Sequence, residues 1–425
     1  MAHGSGTANP GTASDCFLCA RLPSGQFNSA LHREQIRLQV ALFTPLMHVK
    51  GYAAPETKAA AQRARLSIEQ AEALGEPPEG PLLLFSVLFG VWAANIVAFN
   101  GDVARELAGQ FLVLAEKQEA TVPLTIGHRV MGIPLVFVGD IAQGRTHLDQ
   151  AVALYDPVQH RPLATRFGQD AAVAILSYRS IALWLLGYPD AALADAEQAL
   201  NDAREIGQVA TLMYALLCTS LSHTLCGDYA TATTKSDELV ALADEKGAPF
   251  WKAGGMMNQG SILMLTCKPL DAVQTIAAGT SAWRSTGATL VVPLYLSYLA
   301  RAHAELRQFD DAWRCIGEAI TAVEATKETV FEAEVHRSAG EIALKSAEPE
   351  AAKAEAHFER ALAIARAQRA KSLELRAAMS MARLWRDQGK RQQARELLAP
   401  VYGWFAEGFD TLDLKEAKAL LKELA

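Results

Sequence analysis

Cysteine is scarce in this sequence: six residues among 425 are too few for the disulfide framework of a secreted scaffold. Two of the six form a lone CxxC at positions 16–19, and no second CxxC or HxxxH follows nearby to complete a structural zinc site. The other four are expected to be small buried residues in a reducing cytosol: Cys218, Cys226, Cys267 and Cys315. The sequence therefore predicts a cytoplasmic protein without a metal site.

An excess of basic charge is also missing. Lys and Arg total 40 against 47 Asp and Glu, and the formal net charge of −7 is spread along the chain. A nucleic-acid binder carries a clustered basic patch or stripe, which this composition does not supply. No nucleic-acid partner is predicted.

Catalytic signatures are absent as well. A P-loop needs GxxxxGK[ST], because backbone amides must cradle phosphates beside a lysine and a metal-binding hydroxyl. The one Gly-Lys pair, Gly389-Lys390, is followed by Arg391. The sequence has no HExxH, GxSxG or kinase signature either. We therefore expect neither an enzyme nor a cofactor.

One hydrophobic run approaches the length of a membrane span. Residues 81–100 carry no charge, but a charged amphipathic segment follows directly from Asp102 to Glu119. A first helix sandwiched between neighbours in a helical stack is apolar nearly all round and gives the same signal. The run is interpreted as a buried helix, and no membrane association is predicted.

What the sequence does contain is a repeat. The first column of small residues is Gly132, Ser180, Ser220, Gly260, Ala300, Gly340 and Ala382. The second column is Gly144, Ala192, Ala232, Ala272, Ala312, Ala354 and Ala394. Small residues recur where helices approach closely, and a period of 20–50 residues is typical of a solenoid. The pattern predicts an all-α fold, a right-handed α-solenoid of about nine helix pairs with a period of 40 residues and no strands.

Three segments follow from this pattern. Residues 1–32 are rich in Gly, Ser, Ala and Thr, which predicts a disordered leader. Residues 33–411 hold the repeat array, and residues 412–425 form an amphipathic segment that is typical of a capping helix.

The repeat resembles the tetratricopeptide repeat, whose second helix carries two alanines seven residues apart, as in Ala192 and Ala199. Longer stretches (151–160, 184–193 and 397–417) resemble the C-terminal array of rhizobial class III adenylate/guanylate cyclases. In that family a cyclase domain and an AAA-type ATPase precede the array, and this chain has the motifs of neither. The resemblance implies a regulatory arm linked to cyclic-nucleotide signalling, with a cyclase or ATPase module as the partner.

The small residues also set the phase of each first helix. Offsets of −6, −3, +1 and +4 from the first column are expected to face the concave groove, beginning with Arg129 and Val136. Trp184 and Tyr214 are predicted to line the groove, and the predicted apolar anchors are Leu217, Leu221, Met257 and Met264. The predicted carboxylate-binding groups are Arg301, Arg337, Arg376 and Arg383.

Two interpretations of this face remain open. In the first, the groove binds a protein or peptide segment, and the chain is a non-catalytic scaffold or regulatory arm. In the second, tight superhelical coiling buries the apolar part and leaves only ion pairs within the array. A small-ligand sensor domain of a signal-transduction ATPase or cyclase is the alternative function.

Overall fold

The computed structural model describes residues 24–73, 81–118, 120–346, 348 and 350–425. Its helices, in chain order, are α1 (Ser24–Lys50), α2 (Pro55–Ala73), α3 (Pro81–Val97), α4 (Gly101–Gln118), α5 (Thr121–Phe137), α6 (Ile141–Leu154), α7 (Pro157–His160), α8 (Ala171–Leu185), α9 (Pro189–Ile206), α10 (Val209–Cys226), α11 (Tyr229–Glu245), α12 (Pro249–Leu265), α13 (Pro269–Ser285), α14 (Val292–Glu305), α15 (Phe309–Thr326), α16 (Glu332–Lys345), α17 (Ala351–Ala367), α18 (Lys371–Asp387), α19 (Arg391–Tyr402) and α20 (Leu412–Glu423). A 3₁₀ turn, Arg161–Leu163, follows α7.

Nine antiparallel helix pairs make up the fold, and the described residues contain no strand. The pairs are α1/α2, α3/α4, α5/α6, α8/α9, α10/α11, α12/α13, α14/α15, α16/α17 and α18/α19. The short α7 and the 3₁₀ turn interrupt the stack, and α20 packs on α18 and α19 at its end. The predicted fold class, an all-α solenoid of tetratricopeptide-like pairs, is confirmed.

The two small-residue columns lie at the contacts between paired helices. Every member of both columns is buried, so the repeat phase predicted from the sequence is confirmed. In the α5/α6 pair, a Cβ added to Gly132 would lie 2.9 Å from the carbonyl oxygen of Gly144, which is closer than real Cβ atoms come. The two backbones therefore approach so closely at Gly132 and Gly144 that there is no room for a side chain.

The turn within each pair is equally regular. At six of the seven members of the first small column, a residue with positive φ stands seven positions later, as at Gly187 (φ 92°) and Gly227 (φ 83°), and the seventh such position lies outside the described residues. Cys267 and Arg307 adopt the same left-handed backbone without being glycine, at φ 59° and 61°. Cys267 is consequently exposed on a turn, so the prediction that it is buried was wrong, whereas Cys218, Cys226 and Cys315 are buried as predicted.

The superhelix is wound so tightly that pairs five apart along the chain are joined by hydrogen bonds. The carbonyl oxygen of Val97, at the end of α3, accepts from the amides of Thr289 and Leu290 just before α14, both at 3.0 Å. Phe137, at the end of α5, accepts in the same way from Thr329 and Val330 just before α16, at 3.0 and 3.1 Å.

The next pair continues this arrangement. The Ser372 hydroxyl donates to the carbonyl of Trp184, and the amide of Gly408 donates to the Asp190 carboxylate at 2.9 Å. One turn of the superhelix therefore takes five pairs, and the second turn rests directly on the first.

This packing explains why some helices are apolar on nearly all sides. Residues 81–97 form α3, whose side chains Phe85, Phe89 and Trp92 are buried in the core, as predicted. Among the described helices, α10 is long and apolar enough to cross a membrane by length and composition, but 83% of it is buried inside the fold. Burial between neighbouring helices accounts for this composition.

The two ends of the array differ in how far the structure describes them. Helix α1 begins at Ser24, inside the segment 1–32 predicted as a disordered leader. Residues 1–23, including the CxxC at 16–19, lie outside the described residues, and the leader there stays a prediction. At the other end, α20 covers the final pair with Leu414, Ala417 and Leu420 buried.

Candidate functional site

A cavity lies on the axis of the superhelix, where the first helices of successive pairs converge. About 90 Å³ of it is open to the centre of a water-sized sphere, and the figure becomes about 840 Å³ when the open mouth and the gaps between wall atoms are included. Helices α3, α5, α8, α10, α12 and α14 contribute to its wall. The aromatic residues of the wall are Tyr52, Phe89, Trp92, Phe137, Tyr178, Tyr214, Phe250, Trp251, Trp283 and Tyr295. Residues from both turns of the superhelix line the cavity. Val97 of the first turn and Leu290 of the second turn are hydrogen-bonded to each other at its edge.

One side of this wall is fixed by internal contacts. The rings of Phe250 and Trp283 stack with centroids 4.4 Å apart, and the Trp283 indole donates to the carbonyl of Leu290 at 3.1 Å. The Asn258 amide donates to the carbonyl of Leu217 at 3.0 Å and accepts from the hydroxyl of Tyr295. Side chains held in this way form a largely preformed surface, as in most ligand sites.

Arg129, on α5, is the charged residue among the described residues of the cavity wall. Its side chain is 1% exposed, and its guanidinium carbon lies 5.1 Å from the centroid of the Phe89 ring. The Gln169 amide is oriented with its oxygen towards Arg129, because its nitrogen then donates to the carbonyl of Phe167 (3.1 Å) and to the Tyr52 hydroxyl (3.2 Å). In this orientation Gln169 accepts from Nη2 of Arg129.

The remaining donors of Arg129 are not satisfied. Its Nε and Nη1 are buried and have no hydrogen-bond acceptor among the described residues. The indole nitrogens of Trp92 and Trp251, on the same cavity wall, are in the same situation. Buried polar groups are nearly always paired in native proteins, so four such donors around one cavity mark it as a site for an acceptor.

The polar groups that line the rest of the cavity stay protonated. Burial raises the pKa of the Cys218 thiol to about 12, and it raises the pKa values of Tyr178 and Tyr214 well above their ordinary value. No Asp or Glu occurs among the described residues of the wall. The cavity therefore presents an apolar, aromatic surface with one positive charge.

Four of the ten residues predicted from the sequence line this cavity. They are Tyr214, Leu217, Leu221 and Met257. Trp184 and Met264 are buried outside it, and Trp184 lies under the guanidinium of Arg376, whose central carbon is 4.8 Å from the ring centroid. The structure thus brings together the apolar residues of α10 and α12 but not all the predicted anchors.

The predicted arginines already have partners within the chain. Arg337 donates to Glu334 at 2.8 and 2.5 Å and to Glu341, while Arg301 lies 3.9 Å from Glu334 and 3.7 Å from Glu341. Burial alone would raise the pKa of Glu334, but the neighbouring Arg337, with Arg376 and Arg301, lowers it to about 2. This group of Arg301, Glu334, Arg337 and Glu341 is called the ion cluster below.

The two remaining arginines contact the end of the chain. Arg376 donates to Asp413 at 2.8 Å and to the carbonyl of Leu225 at 2.8 Å, so it ties α18 to α10 of the first turn. Arg383 pairs with Glu416 at 2.7 Å, and both side chains are exposed. Partner binding by the four arginines stays a prediction, and any partner would have to compete with these internal acceptors.

Several residues of the cavity wall were not among the sequence candidates. The offset rule places Arg129 on the concave face, but the predicted carboxylate-binding arginines lie in the C-terminal third, where arginines are more frequent. Trp92 belongs to α3, which precedes the first member of the small-residue column, so no phase was available for it. Trp251 stands at the start of α12, beyond the four offsets used.

Comparison with known proteins supports the fold. No family model matches the chain, and no curated protein matches it in sequence. Among solved structures, a Rap protein complexed with Competence and Sporulation Factor is similar, with a TM-score of 0.59, 10% identity, and coverage of 92% of this chain and 100% of that one.

Two further structures have the same architecture. NprR in complex with its cognate peptide NprX is similar with a TM-score of 0.57 and 13% identity, covering 86% of this chain and 98% of that one. The Rap conjugation gene regulator of plasmid pLS20 in complex with the Phr* peptide is similar with a TM-score of 0.53 and 9% identity, covering 92% and 96%. The tetratricopeptide-like fold is thus supported, and the likeness to cyclase arrays stays a prediction.

Proposed function

We propose that this protein is a non-catalytic regulatory receptor that binds a peptide segment in its axial cavity. The observation that carries the proposal is the cavity itself, an aromatic space with four buried, unpaired donors on its wall. A peptide backbone supplies carbonyl acceptors for such donors, and apolar side chains suit the aromatic wall. The peptide complexes of structurally similar Rap and NprR proteins support this choice of ligand.

The position of the cavity suggests how binding would be transmitted. Its wall includes Val97 of the first turn and Leu290 and Val291 of the second. A ligand that contacts both turns binds best at one spacing between them, and it therefore shifts the chain towards that spacing. The outer surface of the array would change with the spacing and could regulate a second protein.

The sequence resemblance makes a cyclase or ATPase module the proposed regulated partner, acting in trans. A small-ligand sensor is the second candidate, which is favoured by the enclosure of the cavity between two superhelical turns. The two candidates share the cavity and differ in the size of the ligand.

The proposal is tested by affinity selection from a pool of random heptapeptides. Leu217→Trp fills the cavity, whereas Leu263→Trp enlarges another half-buried leucine of the core that is not on the cavity wall. We expect the wild type and the Leu263→Trp variant to retain peptides, and the Leu217→Trp variant to lose them. Equal retention by all three proteins would place peptide binding outside the cavity. Retention by none, with all three folded by circular dichroism, would reject a peptide ligand.

A further inference from the structure

We propose that the axial cavity recognises a carboxylate carried on an apolar or aromatic body, with Arg129 as its binding group. The inference rests on the proposed function, because it names the chemistry of the ligand in the same cavity. The carboxylate could be the C-terminus of a peptide, an acidic side chain, or a free organic acid. All three present the same two acceptor oxygens to a guanidinium.

The first argument is the charge of Arg129. An arginine is protonated at any physiological pH, and a buried ion is costly unless it is paired and fully hydrogen-bonded. No ion-pair partner of Arg129 occurs among the described residues, and Gln169 satisfies a single one of its five N–H groups. An anionic ligand would supply the missing charge and accept from the free Nε and Nη1.

The second argument is that the unsatisfied polar groups on the cavity wall are all hydrogen-bond donors. Nε and Nη1 of Arg129 and the indole nitrogens of Trp92 and Trp251 are all donors. A cationic or donor-rich ligand would leave them unpaired. An apolar ligand without acceptors would do the same. A carboxylate offers up to four acceptor positions, and it can therefore accept from each of these four nitrogen atoms.

The third argument concerns the size of the charge. One arginine neutralises one negative charge, and the other polar side chains named on the wall are neutral hydroxyl, thiol, amide and indole groups. A phosphate dianion would enter with an excess negative charge in an apolar space, which is unfavourable. The aromatic wall around Arg129 favours an apolar body next to the carboxylate.

The test compares ligands that differ in the carboxylate alone. The first probe is a pool of N-acetylated hexapeptides without Asp or Glu that end in Phe with a free carboxyl group. The second is the same pool amidated at the C-terminus, and the third is the amidated pool with one internal Glu. The small-molecule arm uses 3-phenylpropanoate and 3-phenylpropanamide. Retention is measured for the peptides, and calorimetry measures affinity for the small molecules.

The protein variants isolate Arg129. Arg129→Met removes the charge and keeps an unbranched side chain, and Arg129→Lys keeps the charge but loses the planar fork. Arg204→Met is the matched control, because Arg204 is exposed, pairs with Glu238 at 2.8 Å and is not part of the cavity wall. The melting temperature of each variant checks folding, and that of Arg129→Met without ligand is expected to equal or exceed that of the wild type.

We expect the wild type and Arg204→Met to favour at least one carboxylate probe over its amide by about 10- to 100-fold. Arg129→Met should abolish this preference, and Arg129→Lys should retain part of it. The probe that shows the preference identifies the source: the free C-terminus, the internal Glu, or the small acid.

Other outcomes separate this inference from the proposed function. Equal retention of acid and amide by the wild type would overturn carboxylate recognition and leave peptide binding intact. A preference that survives Arg129→Met would overturn the role of Arg129. If no probe in either arm binds the folded wild type, both the inference and the proposed function are wrong.

Discussion

Glu328 and Glu334 lie in the same segment of the chain and are both buried, yet their environments affect ionisation in opposite ways. Burial raises the pKa of Glu328 to about 8 and outweighs the hydrogen bond from the Val291 amide (2.8 Å), which lowers it. The other carboxyl oxygen has no partner among the described residues. The pKa of Glu334 is about 2, because Arg337 outweighs the same burial. The difference is the presence of a counter-ion.

The same contrast separates two regions of the molecule. The ion cluster holds several charges, but each is neutralised within the chain. In the part of the chain that the structure describes, Arg129 has no carboxylate partner in the cavity region, and Glu328 lies beside the cavity edge at Val291. A buried charge that the chain leaves unpaired is a stronger sign of a ligand than a high density of arginines.

The largest effect is expected from breaking the ion cluster. Arg337→Ala would leave Glu334 buried and unpaired, which typically costs about 3–5 kcal/mol. Urea unfolding followed by circular dichroism measures the loss. The double variant Glu334→Gln/Arg337→Met, which removes both charges, should recover most of it. A loss below about 1 kcal/mol in Arg337→Ala would mean that the cluster is solvated or can rearrange.

An effect of comparable size, but of opposite sign, is expected at Glu328. Its pKa is about 8 in the folded protein and near 4.5 when unfolded, so the folded state binds the extra proton between these values. The free energy of unfolding should therefore fall as pH rises from about 4.5 to about 8, by a few kcal/mol. Glu328→Gln should remove this decline and be the more stable protein at pH 8. Parallel pH profiles for the two proteins would show that Glu328 is not the titrating group.

The smallest effect is expected at Arg383. Its pair with Glu416 is exposed on both sides, and such pairs contribute about 0–1 kcal/mol. Arg383→Ala should shift the urea midpoint slightly and leave ligand retention unchanged. A loss of ligand in this variant, with the fold intact, would move the binding surface from the cavity to the C-terminal arginines.

The fold was predictable from the sequence because its determinants are local and repeated. Gly132 and Gly144, or Ser220 and Ala232, lie 12 residues apart in the chain and touch in the structure, so one small-residue pattern reports both the period and the phase. The same phase put Tyr214 and Met257 on the inner face, where they line the cavity.

The closure of the cavity was not predictable in this way. It depends on bonds such as that between Val97 and Leu290, which lie far apart in sequence and carry no shared motif. The pairing of Arg376 with Asp413 and with the carbonyl of Leu225 depends on the same winding. Offsets within a helix indicate which side chains face inward, but they do not reveal whether a later turn of the same chain already occupies that space.

The hydrogen bonds between pairs five apart also bear on how the chain folds. In an ordinary repeat array each unit meets its neighbours alone, so folding nucleates anywhere and the ends fray independently. Here Val97 and Leu290, which are far apart in the chain, must come together before the two superhelical turns can pack on each other. This requirement raises the contact order and slows folding relative to an open helical array. Truncating the chain before Thr289 would also release the ends of α3, α5 and α8, so the protein should unfold as one cooperative unit rather than repeat by repeat.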